Sequence, residues 1–233
     1  MEPYFLYNGI DSRNKGLWVK ELPAPTRAEE RVDVIEIPGR AGHVTIKEGE
    51  NIHKSYLREC IVQAPATADF NAILSWLSGS GPVVFSNEDN RVYFAEITAE
   101  VRFDKISNSL KEATIPFYVQ PHKGKYPTES NVVINGTSGS ITNPGDVASS
   151  PIVVIEVTGG GSIQINIGNS AMAFSSAPSY LRVDCGAGIV TTNNGSLWQG
   201  VYSGDFFSIG PGANTVTLSS SAKLTITPRW RWK

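Results

Sequence analysis

Ile152-Val153-Val154-Ile155-Glu156-Val157, a turn through Gly159-Gly160-Gly161, Ser162-Ile163-Gln164-Ile165-Asn166-Ile167 and then Gly168-Asn169 read as two strands between turns. β-branched residues fill both runs, and the second alternates apolar and polar side chains as a half-buried strand does. Glycine and asparagine supply the positive φ that the reversals need. Tyr180-Leu181-Arg182-Val183-Asp184, Thr215-Val216-Thr217-Leu218 and Leu224-Thr225-Ile226-Thr227 repeat the pattern, with Asn194-Gly195 and Gly210-Pro211-Gly212 as further punctuation. No helical period competes, so this half is expected to be an antiparallel sandwich.

Toward the N-terminus, the composition changes near residue 126. Fifteen of the 20 Lys and Arg and 17 of the 22 Asp and Glu precede it, whereas 14 of the 22 glycines follow it. Pro121, Gly124 and Pro127 interrupt any regular element there. The expected division is a domain over 1–125 and a second over 126–233. A length of 233 residues suits two such domains.

The first half carries strand signals with one exception. Tyr4-Phe5-Leu6-Tyr7 stops at Asn8-Gly9; Leu17-Trp18-Val19, the run from Val32 to Ile37 before Pro38-Gly39, and Tyr56–Val62 follow. After them come Pro82–Ser86, Arg91–Ile97 and Ala113–Val119, the last two expected to pair as a long hairpin. The exception is Thr67–Gly79. Phe70, Ile73, Leu74 and Leu77 occupy i, i+3, i+4 and i+7 of one helix face, with Thr67 as the expected cap, Asp69 near the dipole's positive end and Gly79 at the C-terminal turn.

The formal net charge of −2 excludes the basic footprint of a nucleic-acid binder. No apolar run reaches the roughly 18 residues of a membrane span, and the N-terminus lacks a secretory signal pattern. Cys60 and Cys185 form no CxxC and are expected to be reduced and structural, in a chain made in a cytoplasm. His43, His53 and His122 fall in no metal-ligating spacing and read as surface or turn residues. Phosphate-loop, nucleophile-elbow and dinucleotide motifs are missing from the sequence. No cofactor and no enzymatic activity are expected; Glu156 and Asp184 are the one carboxylate pair whose strands could face, and isolated solvent-facing acids are far commoner.

Trp198 is the candidate for glycan or partner contact, because a sugar ring stacks on an exposed indole. Trp230 and Trp232 in Arg229-Trp230-Arg231-Trp232 are expected to alternate along a final strand, burying one edge of the sandwich. Asn135-Gly136-Thr137 and Asn194-Gly195-Ser196 read as turns.

Four stretches in order go further: Phe5–Ser12 (FLYNGIDS), Glu36–Gly42 (EIPGRAG), Ala72–Gly79 (AILSWLSG) and Ile115–Pro121 (IPFYVQP). Together they resemble the distal tail protein family of long, non-contractile-tailed bacteriophages. The second half, ending Phe206–Asn214 and Pro228-Arg229-Trp230, is similar to that family's galectin-like domain.

The resemblance implies a mainly β fold. Its first domain is a tail-tube-like β-barrel or sandwich with one amphipathic helix, and its second a galectin-like antiparallel β-sandwich. It implies a structural protein at the tail tip of the virion, synthesised in the host cytoplasm and not inserted in membrane. Six copies form a ring that leaves a channel for DNA and joins the tail-tube protein to the tail-tip hub, which often carries a cell-wall lysin. Receptor-binding proteins can dock on the outer domains. A six-fold ring closes head to tail. Arg31, Arg40 and Arg102 are candidates for its interface, and the hairpins expected at 17–37 and 92–119 for its arms. Glu29, Glu30 and Asp33 are candidates for a channel wall that repels DNA. The alternative is a lectin-like module that recognises host cell-wall carbohydrate through Trp198.

Overall fold

The computed structural model describes residues 2–39, 41–47, 49 and 52–233. The chain divides into two compact units, the first ending at Pro127 and the second spanning Thr128–Trp232. Both are mainly β and antiparallel.

In the first unit the strands are β1 (Phe5–Tyr7), β2 (Ile10–Asp11), β3 (Trp18–Glu21), β4 (Val32–Glu36), β5 (His43–Lys47) and β6 (Tyr56–Pro65). Helix α1 (Phe70–Trp76) precedes β7 (Gly79–Phe85), β8 (Arg91–Ile97), β9 (Asp104–Lys105), β10 (Leu110–Val119) and β11 (Gly124–Lys125). One sheet runs β2-β1-β7-β8-β10-β6-β3, with β11 on β8 and β9 on β10, and β4 and β5 form a separate hairpin.

The sheet curls. β1 and β10 are three strand spacings apart, about 14 Å in a flat sheet. Yet the Phe5 ring on β1 meets Phe117 on β10 edge-on, with centroids 5.4 Å apart. Phe117 also touches Tyr7 and Phe85, so the inward residues of neighbouring strands converge on one aromatic centre. The edge strands β2 and β3 are consecutive in the chain, joined through a 3₁₀ turn at Ser12–Lys15, which keeps the two edges of the curl close.

Helix α1 covers part of this core. Its cap is Asp69, whose carboxylate accepts from the Ala72 N–H at 3.1 Å, rather than Thr67. A helix beginning at Phe70 turns Ile73 and Leu77 inward and leaves Leu74 38% exposed. Trp76, outside the expected face, lies parallel to Phe5 at 5.8 Å and donates its indole N–H to the Tyr7 carbonyl.

The hairpin expected at 17–37 does not form, and β8 and β10 pair as expected but only at one end. β3 pairs with β6, and the hairpin in that region is β4–β5, in register from Val32↔Lys47 to Glu36↔His43. β8 and β10 share only Tyr118↔Glu96 and Val119↔Ala95, whereas β10 pairs with β6 from Leu110↔Pro65 to Val119↔Tyr56. β6 takes one edge of β10 for ten residues, and the other edge is shared between β8 and β9, which keeps the β8–β10 ladder short.

In the second unit the strands are β12 (Val132–Asn143), β13 (Ile152–Glu156), β14 (Gly161–Ile167), β15 (Ser170–Ala177), β16 (Tyr180–Asp184), β17 (Ile189–Thr191), β18 (Tyr202–Gly204) and β19 (Gly212–Thr227). Their order is β17-β16-β13-β19-β14-β15-β18, with β12 also on β19. The two runs near the C-terminus are one 16-residue strand, β19, whose first part pairs with β14 and last part with β13.

Strand β12 follows β19 along both parts, and the register shifts between Gly136 and Ser138. That bulge exchanges the faces of β12: Ile134 is buried before it, Ile141 and Asn143 after it. Asn135-Gly136-Thr137 therefore lies inside a strand, not at a turn. Asn143 is buried with its amide donating to the Val147 and Ile209 carbonyls, at 3.0 and 2.9 Å. Its Oδ1 accepts from the Gly145 N–H.

The chain end is not the expected strand. Trp230 is buried and Trp232 packs on the core, but Arg229 has φ +56° and Arg231 makes an isolated bridge to Val147. Arg229 grips Asp184 with both terminal guanidinium nitrogens, at 2.8 and 3.1 Å.

Candidate assembly surface

The candidate residues of the first unit gather on and beside the β4–β5 hairpin. All described residues of the ribbon are exposed or half-buried, including Val34 at 57% and Ile46 at 49%. A two-stranded ribbon with apolar side chains turned to solvent is marginal by itself, and its exposed residues are suited to contact with a partner. Asp33 sits on β4 opposite Ile46, exposed.

Glu29 and Glu30 lie just before the hairpin, and each has a cation: Lys54 at 3.5 Å from Glu29, Lys47 at 2.8 Å and Arg27 at 3.5 Å from Glu30. The hydrogen bond and charge of Lys47 hold the Glu30 carboxyl below its ordinary value. Arg31 donates its backbone N–H to the Ile52 carbonyl. Arg102 belongs to another segment and pairs with Asp104 at 2.7 Å, with both side chains largely exposed. Arg40 lies outside the described residues.

A cluster whose members are scattered along the chain fixes the segment leading to the hairpin. Arg58, on β6, is 2% exposed. It donates to the Pro23 and Ala24 carbonyls, both at 3.0 Å, and lies 2.8 Å from the Glu88 carboxylate. Its guanidinium covers the rings of Phe85 and Tyr93. Glu88 also accepts from the Tyr93 hydroxyl at 2.7 Å and from Lys123 at 3.3 Å.

Burial alone would raise the Glu88 pKa. The hydrogen bonds from Tyr93 and Arg58, with the charges of Arg58 and Lys123, outweigh it and bring it below the ordinary value. For Tyr93 burial dominates and drives the phenol pKa upward. The cluster ties residues 23–24 to the sheet and leaves the hairpin itself outside.

His53 departs from its reading as a surface or turn residue. Residues 29–31 pair with 52–54 and hold it inside, bridged to Glu30, with its ring 5.3 Å edge-on from that of His122. Burial pushes the Cys60 and Cys185 thiols up to about 12, and both cysteines are free. Among the described residues, no three His, Cys, Asp or Glu gather in a way that would hold a metal ion, and no helix is long and apolar enough to cross a membrane.

The outer face of the curled sheet carries a second apolar group. Leu57 and Tyr118 are cross-strand partners, and the Gln120 N–H donates to the Phe94 carbonyl beside them. Leu57 is 52%, Tyr118 47% and Phe94 62% exposed. Alternation along β6, β8 and β10 predicts which residues point outward; it does not predict that three of them are apolar neighbours.

In the second unit, Trp198 is half-buried against the core. Its indole packs on Phe174 and Tyr202 at 5.8 and 6.3 Å between centroids, and lies so close over Gly200 that a Cβ there would collide with the ring. Glu156 and Asp184 stand at opposite ends of the β13–β16 pair, Glu156 on Lys223 at 2.7 Å and Asp184 on Arg229. They do not form a facing carboxylate pair.

No protein-family profile matches the chain, and no curated protein matches it. Among solved structures it is similar to SPP1 Dit (gp 19.1), described as a paradigm of the hub adsorption apparatus in phages that infect Gram-positive hosts. The TM-score is 0.76 over 98% of this chain and 99% of that one, at 15% identity. The two chains share one fold. The likeness runs through both units.

Proposed function

We propose that the chain is a structural distal tail protein of a long-tailed phage, a component of the tail-tip adsorption apparatus without catalytic activity. The observation that carries this is the likeness to SPP1 Dit over nearly the full length of both chains, because one shared domain alone would fit many roles.

In this reading the first unit is a tail-tube-like, ring-forming domain and the second a galectin-like sandwich. Six copies close head to tail around a channel for DNA, and the ring joins the tail-tube protein to the tail-tip hub, with receptor-binding proteins as further partners. The exposed apolar residues of the β4–β5 hairpin and the Leu57–Tyr118–Phe94 group supply contact area. Arg31, Arg40 and Arg102 add polar contacts at the rim of the interface. Asp33, with Glu29 and Glu30 partly neutralised by their lysines, faces the channel and keeps DNA from adhering.

Antibodies against the purified protein test the location. Gold-labelled, they are expected at the distal end of the tail in particles from cells that encode the chain. Label confined to the capsid or along the tube contradicts the reading.

A further inference from the structure

A cleft of about 590 Å³ opens on the second unit, lined by residues of β12, β19, the end of β13 with Val157 and Thr158 after it, and Ser179 with Tyr180 at the start of β16. Its floor is one transverse row. Asn135 is in register with Lys223, Lys223 with Glu156, and Glu156 with Tyr180, across four neighbouring strands. Three strand spacings make this row about 14 Å long. The β12 bulge opens the cleft: pairing stops at Gly136↔Ala222 and resumes at Ser138↔Thr217, and Ser221 falls in the gap on β19.

The chemistry of the lining selects a ligand class. Lys223 and Glu156 lie 2.7 Å apart, each with its side chain about half exposed. The pair neutralises itself and still presents an ammonium donor and a carboxylate acceptor to solvent. Among the described residues, the Asn135 amide and the hydroxyls of Thr158, Ser179 and Ser221 make no hydrogen bond within the chain. The half-buried Tyr180 ring offers an apolar face at the end of the row. An uncharged site rich in both donors and acceptors, with one ring surface, matches a molecule with many hydroxyl groups and C–H faces. The volume falls within the range of small-ligand sites.

We propose that this cleft binds a neutral oligosaccharide, with Asn135, Glu156, Lys223 and Tyr180 as its contacts. The site is separate from Trp198 and does not depend on the assembly reading, so either can fail alone.

The test is calorimetric titration of the full chain with maltotriose, cellotriose and tri-N-acetylchitotriose, with trigalacturonate as the anionic contrast. Saturable binding of a neutral probe at one site per chain is expected. Asn135→Ala and Glu156→Gln, both on exposed or half-exposed strand positions and checked by their melting temperatures, each weaken it about tenfold. The proposal is overturned if no neutral probe saturates, if trigalacturonate binds more tightly, or if folded Asn135→Ala and Glu156→Gln variants bind as the parent does.

Discussion

The two units solve the same problem, an antiparallel β-fold without disulfides, in opposite ways. The first closes a curled sheet and then secures an irregular segment with a buried ion cluster, Arg58–Glu88–Lys123, roofed by Tyr93 and Phe85. The second runs β12 and β19 through its core, with the neutral amide of Asn143 joining the loop carbonyls of Val147 and Ile209 and Asp184 held at one sheet end by Arg229. Part of the charge in the first 126 residues serves an internal clamp, and part forms ion pairs around the hairpin.

The contrast between the units is sharpest at their buried polar groups. Arg58→Ala takes the buried guanidinium away from Glu88 and from the Pro23 and Ala24 carbonyls, so a loss of about 3–5 kcal/mol is expected in urea unfolding. Asn143→Ala in the second unit removes neutral hydrogen bonds and should cost about 1–3 kcal/mol. Equal losses would show that the buried charge is not what distinguishes the units. Gly200→Ala comes next: the new methyl group must displace the Trp198 indole, at a cost of about 1–3 kcal/mol. A shift in tryptophan emission reports it, and unchanged emission would mean that the ring is not seated there. Asp69→Ala, which uncaps α1, should cost about 1 kcal/mol and spare the second unit.

The smallest effect is pH dependence. Glu88 and Asp184 both have pKa values held below the ordinary one: burial pushes each up, and hydrogen bonds and neighbouring cations outweigh it. Their stabilisation is therefore complete above the unfolded-chain value of roughly 4 and is lost as pH falls through the lower folded value. Glu88→Gln should flatten the acid side of the stability profile through the first unit, and Asp184→Asn through the second. Profiles that stay parallel to the parent's would mean that neither carboxylate contributes to acid stability.

Local signals carried much of this fold. Asn8 and Gly9 have φ of +51° and +75° at the first reversal, and Gly168-Asn169 closes the β14–β15 hairpin, as their residue types predict. The helix and its inward Ile73 and Leu77 were legible from period alone. β15 was not, since in Ser170-Ala171-Met172-Ala173-Phe174-Ser175-Ser176-Ala177 six of the eight residues are Ser or Ala, with little strand preference. Strand β12 hid behind Asn135-Gly136, a turn signal that a bulge can also use. The Arg58 cluster was invisible because β6, the stretch from Phe85 to Tyr93, and Lys123 after β10 meet only in the fold, about 30 residues apart in sequence.

Closure into a ring underlies the whole assembly reading. Light scattering of the purified protein across a concentration series, with negative-stain images of the eluted species, decides it. A discrete particle of about 150 kDa, six subunits of 25.2 kDa, with a central opening is expected. A 25.2 kDa monomer that persists at the highest concentrations reached, or an open series that grows without closing, would contradict it.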